Sequence, residues 1–341
     1  MSKRIKITLK TIISAALCAV TAAALAGCGS VRGSAAGAGE MNGGEKKLSV
    51  VCTGFSEYDW TKNILGSRSD NVELTYLLDN GVDMHSYQPT AADIAKISGC
   101  DLFVYVGGES QEWADDALKN ASGKSVKLLD VLEKQGSAKE EEVKEGMQSE
   151  EEEHDHEEEE GAPEYDEHVW LTPGNAELFT QAICDELKAI DPDGAEVYDA
   201  AAADYISQLE ALKADYSAAL SACPNKTVIV ADRFPFRYLA DEYGLDYFAA
   251  FSGCSAETEA SFETVAFLSG KLDETGAKTV FTLENSDGKL AQAVIANSAA
   301  KSAQTAQLDS LQSVNVSQIA DGATYISIMR NNLDTLKTAL A

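Results

Sequence analysis

From Leu48 onward, short apolar runs alternate with segments of helical periodicity, and the pattern repeats after one long helical stretch. The first series holds the strand-type runs Leu48–Thr53, Val72–Leu78, Leu102–Val106 and Val126–Leu129. Helical patterns over Glu57–Leu65 and Thr90–Ser98 separate them, with Thr90 suited to cap the second. The later series places strands at Thr227–Ala231, Asp246–Phe251 and Thr279–Leu283. Its helices are expected over Phe236–Tyr243, closed by Gly244, then Glu257–Asp273 and Asp321–Leu340. Short strands divided by helices imply βα units, whose sheets are largely parallel. Between the series lies a helical stretch over Asn175–Leu220, interrupted near Asp191–Gly194 and closed by Cys223-Pro224. The expected fold class is therefore α/β: two βα lobes with mainly parallel sheets, joined by a long rigid helix. The lobes fall at 48–190 and 224–341, with 191–223 as the linking helix.

The N-terminus reads as a processing signal rather than as fold. Lys3, Arg4, Lys6 and Lys10 precede an apolar run from Ile12 to Ala24, too short for a stable span. The run ends in Leu25-Ala26-Gly27-Cys28, a lipobox-like sequence. Residues 1–27 are the expected lipoprotein signal peptide, and Cys28 is the expected lipidated residue. This places the chain on the extracytoplasmic face of the cell membrane, held to the bilayer by its acyl anchor. An ordinary secretory signal with a chance cysteine is the alternative. Residues 28–47, rich in Gly, Ala and Ser, read as a flexible tether.

Charge narrows the partners. Lys and Arg number 27 against 56 Asp and Glu, for a net charge of −29. Such a surface repels phosphates, which excludes nucleic acid as a partner, and it suits a cationic ligand. Part of the excess sits in Lys139–Glu160, where no core face can be drawn. Residues 136–163 are expected to form a disordered acidic loop. Within it, His154, Asp155 and His156 read either as a weak cation trap or as part of a solubilising insertion. Five cysteines remain beyond Cys28, an odd number with no CxxC pair.

Only four histidines occur, so the two outside that loop carry weight. His85 lies in Gly81–Thr90 just after the second expected strand, and His168 lies in Asp166–Pro173. Neutral imidazole is a common ligand for Zn²⁺ and related metals. On spacing alone, two loop histidines are surface residues more often than ligands.

The lipobox, HSYQPT, DEHVWLTP and FRYLADEYGL together resemble the substrate-binding lipoproteins of bacterial zinc/manganese ABC importers. Thr324–Met329 is similar to that family's closing helix. The resemblance spans essentially the whole chain beyond the signal. It implies a non-enzymatic, monomeric receptor that binds Zn²⁺, with Mn²⁺ as the alternative cargo, in a cleft between lobes. It also implies an ABC permease and its ATPase as partners, since this chain has no nucleotide-binding loop. His85 and His168 match the first lobe's ligands, Tyr87 and Trp170 would pack beside them, and Asp166 or Glu167 would fix a ring tautomer.

The second lobe departs from the pattern. Arg233 stands at the usual ligand position, and a guanidinium offers no lone pair. Asp232 and Glu284 are the substitutes expected to complete the site, and Arg233 could instead pair with an acidic residue. Cys254 is a soft donor candidate, with small buried packing as its alternative reading. Ala323 occupies the position where manganese-type relatives carry an aspartate, and Asp321 reads as a helix cap. Two further functions stay open on the residues: a metal-dependent hydrolase with Glu284 as base, and a surface adhesin.

Overall fold

The computed structural model describes residues 47–119, 121–148, 164–255 and 259–341. Its first lobe runs β1 (Leu48–Cys52), α1 (Phe55–Leu65), β2 (Val72–Tyr76), α2 (Ala91–Gly99), β3 (Leu102–Tyr105), α3 (Glu112–Leu118), β4 (Lys124–Lys127) and α4 (Leu128–Gln135). Two helices follow, α5 (Pro173–Ile190) and α6 (Ala195–Ala222). The second lobe holds β5 (Thr227–Arg233), α7 (Arg237–Tyr243), β6 (Asp246–Phe251), α8 (Phe262–Thr275), β7 (Thr279–Leu283), α9 (Lys289–Asn297) and β8 (Gln304–Leu308). The short α10 (Val316–Ala320) and the closing α11 (Tyr325–Ala339) complete the chain.

Each lobe contains a four-stranded sheet, ordered β2-β1-β3-β4 and β6-β5-β7-β8, and every pairing is parallel. The fold class is the one expected. Parallel strands bury both faces, and Leu102–Tyr105 is buried at every residue. In both sheets the strand order reverses beside the first strand of the lobe. Ligands of open α/β sheets sit beyond the carboxyl ends of the strands at such reversals. Thr90 caps α2 in a reciprocal capping box with Asp93, and Gly244 ends α7 in the left-handed region at φ 65°.

The linking helix α6 has 28 residues, about 42 Å at 1.5 Å per residue. Tyr198, Ala202, Tyr205, Leu209, Leu212, Tyr216 and Leu220 are buried along one stripe. Its tyrosines tie distant segments together: Tyr205 donates to Asp59 in α1 at 3.1 Å, and Tyr216 donates to the Met329 carbonyl in α11 at 2.6 Å.

Two expectations change. The segment after β8, placed by sequence in the second lobe, returns to the first. Tyr76 donates to the Val314 carbonyl, Asn80 bridges Asn315, and the Tyr325 amide donates to Asp59. Helix α11 thus belongs to both lobes. The cap of α11 is Thr324, in a reciprocal box with Ser327, while Asp321 lies at the end of α10.

The acidic segment also differs. Residues 139–148 lie against the second lobe along β6, an edge strand with unpaired backbone groups. The Gln148 amide donates to the Ala250 carbonyl at 2.9 Å, and Glu142 accepts from Tyr247 and pairs with Arg237. Lys144 pairs with Asp246 and lies 3.8 Å from the Tyr247 ring centre. Local cations and a free edge hold a segment that has no apolar face of its own. His154, Asp155 and His156 fall outside the described residues, as does Cys28.

Glu57, in the first turn of α1, is fully buried beside a cavity of about 20 Å³ lined by Leu78, Met84, Val106 and Trp170. Burial pushes its carboxyl up to about 7. The folded state then binds a proton that the unfolded state releases, so stability is full below the ordinary carboxylate pKa and falls as pH rises through 7. Glu57→Gln should remove that loss, worth about 3 kcal/mol above pH 7, and leave stability at pH 4 unchanged. Denaturation midpoints across pH test this; parallel pH profiles for the two proteins would refute it.

Candidate metal centre

His85 sits in a single 3-10 turn, Met84–Ser86, beyond the carboxyl end of β2. Asp83 precedes it and accepts from the His85 amide at 3.0 Å, while Met84 is buried and anchors the turn. His168 lies in the loop that leads into α5, whose first residue is Pro173. Its neighbours Asp166, Glu167, Val169, Trp170 and Leu171 are all buried. The Trp170 indole donates to the Ser310 carbonyl at 2.9 Å, and Tyr325 donates to the Trp170 carbonyl at 2.7 Å. A loop this tightly held presents its histidine in one place.

The two rings converge. His85 Nε2 and His168 Nε2 are 3.1 Å apart. Two imidazole nitrogens on one tetrahedral zinc are separated by about 3.3 Å, given Zn–N bonds of about 2.05 Å. Asp166 Oδ1 accepts from the His168 amide at 2.8 Å and lies 3.1 Å from Nδ1 of the same ring. A carboxylate only accepts, so it holds the proton on Nδ1 and leaves the Nε2 lone pair facing His85. Burial, reinforced by the adjacent His168, lowers the pKa of His85 to about 3. His85 therefore stays neutral, the form that donates a lone pair to a metal.

Glu167 closes the first lobe's side. It accepts from the amide and the hydroxyl of Ser110, and its Oε2 lies 3.8 Å from His85 Nδ1. Gly108 makes this possible: its φ is +85°, and a Cβ there would lie 2.3 Å from the Glu167 carboxylate.

From the second lobe, the loop after β6 covers His168. A Cβ on Gly253 would lie 3.0 Å from the imidazole. Cys254 follows, and its Sγ joins the two imidazoles in a group whose donor atoms all lie within 4.8 Å of one another. Burial, with Glu141, Asp166 and Glu167 nearby, pushes this thiol's pKa up.

Asp232 and Glu284 are not brought into this group. Asp232 accepts from the Arg233 amide through Oδ1 and from the Leu283 amide through Oδ2. Glu284 accepts from the Ser310 amide and hydroxyl at 2.9 and 2.7 Å. Each carboxylate thus organises backbone at the end of its strand. Arg233 reaches across to Asp83 at 2.5 Å, two residues from His85. Burial alone would raise the Asp83 carboxyl, but the guanidinium holds it below the usual carboxylate range. The ion pair ties the second lobe to the turn that carries the first imidazole. Tyr87 packs edge-on against Trp113, and Trp170 packs against the His168 ring with centroids 5.3 Å apart.

The family model described as zinc-uptake complex component A, periplasmic, matches residues 50–339. The high-affinity zinc uptake system protein ZnuA of Bacillus subtilis is 33% identical over 319 residues, covering 93% of each chain. The zinc-binding protein AdcA of Streptococcus pyogenes is 31% identical over 297 residues, which span 86% of this chain and 56% of AdcA. The chain thus matches only about half the length of AdcA. The crystal structure of the Zn(II)-bound ZnuA-like domain of Streptococcus pneumoniae AdcA superimposes with a TM-score of 0.66 at 28% identity, covering 86% of this chain and 99% of that domain. Sheet order, converging imidazoles and a match along nearly the whole described chain agree: this chain belongs to the zinc-uptake complex component A family.

Proposed function

We propose that this chain is an extracytoplasmic receptor that captures Zn²⁺ and delivers it to an ABC permease with its ATPase. Lipidation of Cys28 would tether it to the bilayer as a monomer. The observation that carries the reading is the His85–His168 pair, with Nε2 atoms 3.1 Å apart at the seam between lobes. Its relatives named for zinc binding and zinc uptake support the choice of metal.

Capture follows from preorganisation. The rings are held before the ion arrives, so little ordering cost is left for binding. The acidic surface raises the local concentration of cations around the site. His154, Asp155 and His156 would add a weak, exchangeable first contact. Release requires the donors to part. A permease that separates the lobes would draw the Cys254 loop from His168 and break the Arg233–Asp83 pair, while α6 and α11 limit how far the lobes move.

Imidazole donors favour zinc over manganese, which prefers carboxylate and water oxygens. Competition titration of the metal-free chain should give tighter binding of Zn²⁺ than of Mn²⁺ by at least about 100-fold, following the divalent-metal affinity order. Equal affinity, or a preference for Mn²⁺, would overturn the zinc reading.

A further inference from the structure

Resting on the zinc-capture reading, one question is which group the second lobe contributes. Arg233 occupies the position from which the resemblance expects a ligand, and it is paired with Asp83. Of the four histidines, the two not in the converging pair are at positions 154 and 156. Asp232 and Glu284 both bind backbone amides at the ends of their strands. One donor from the second lobe lies with the imidazoles among the described residues, and it is sulfur.

We propose that Cys254 is the second lobe's ligand, so that the cargo ion is held by two imidazoles and one thiolate. The Sγ atom and both ring nitrogens lie within 4.8 Å of one another. On a tetrahedral zinc, with bonds of about 2.3 Å to sulfur and about 2.05 Å to nitrogen, the S···N separation is about 3.6 Å. Closing the remaining distance takes a shift of at most about 1 Å by the sulfur. Its placement is supported from both sides. Gly253 packs close to the His168 ring, and the Cys254 amide donates to Glu141 Oε1 at 2.9 Å. The docked acidic segment thus fixes the backbone that carries the sulfur. Among the described residues, Cys254 has no disulfide partner. Coordination replaces its S–H bond with an S–Zn bond and releases the proton to solvent.

The consequence is specificity. Two imidazoles and a thiolate form a softer set than imidazoles completed by carboxylates, and thiolate discriminates strongly against Mn²⁺ and Mg²⁺. Three protein donors leave the fourth tetrahedral position open to solvent, as in exchangeable zinc sites.

The test is titration of the metal-free full chain with Co²⁺, which reports its ligands in its spectrum. The wild type should develop an intense near-ultraviolet thiolate-to-cobalt charge-transfer band, absent from Cys254→Ser. The same variant should bind Zn²⁺ at least about 10-fold more weakly, since losing a ligand costs no less than losing a group that merely orients one. Cobalt bound by the wild type with no charge-transfer band, together with unchanged zinc affinity in Cys254→Ser, would overturn this assignment and leave zinc capture standing. Failure of the wild type to bind either metal would overturn both. The wild-type band is read without any variant, so a folding defect in Cys254→Ser does not blunt the test.

Discussion

Replacing His168 with alanine should weaken Zn²⁺ binding by more than about 100-fold, beyond the 10–100-fold typical of losing a group that only orients a ligand. The ring is fully buried and sits between Asp166, His85, Trp170 and Gly253. Its loss removes a donor whose tautomer and direction are already set. It also leaves Asp166 without its imidazole partner, a buried carboxylate that then faces an empty space. His85→Ala should produce a similar loss of affinity with less effect on stability, because that ring is partly exposed at the cleft. Calorimetric titration of the metal-free proteins measures both. Wild-type affinity in the two variants would sink the assignment of the site.

A second large effect is expected far from the metal. Trp60→Ala should destabilise the protein by about 3–5 kcal/mol, the cost of deleting a large buried aromatic. Trp60 is fully buried in α1, with its ring 5.7 Å from Phe179 of α5 and 5.2 Å from Tyr325 of α11. Its indole nitrogen has no hydrogen-bond partner among the described residues, so the loss is one of packing. Tyr325 in turn holds the Trp170 carbonyl two residues beyond His168. The cavity would therefore loosen the packing that carries the histidine loop as well as the junction of three helices. Chemical denaturation followed by fluorescence and circular dichroism tests this; a loss below 1 kcal/mol would show that the junction repacks without the ring.

Much of the architecture was legible because apolar periodicity acts locally. LFVYV reads as a buried parallel strand, and the three tyrosines and three leucines of α6 read as one buried stripe, before any neighbour is known. The elements that escaped sequence reading are those with weak local signals. Strand β8, QTAQL, is largely polar because it lies at the sheet edge, and only Leu308 is buried. Helices α3 and α9 are short and held by a few buried residues, while α10 is a five-residue turn that buries none and is fixed by the Asn315–Gln318 capping box. The acidic segment misled in the opposite direction. Its composition signals solvation, but residues 139–148 meet an edge strand and a guanidinium, Arg237, that no local window contains.

The site divides in the same way. Chemical type is written in the chain: His85 and His168 are the imidazoles available to the first lobe, and Arg233 lacks a lone pair wherever the fold places it. Proximity is not written there. Eighty-three residues separate the two rings that meet at 3.1 Å, and 150 separate Arg233 from Asp83. Only the packed lobes decided that Asp232 and Glu284 bind backbone while Cys254 joins the imidazoles. Residue identity sets which lone pairs exist. Where they converge depends on long-range burial, which brings distant loops to one seam.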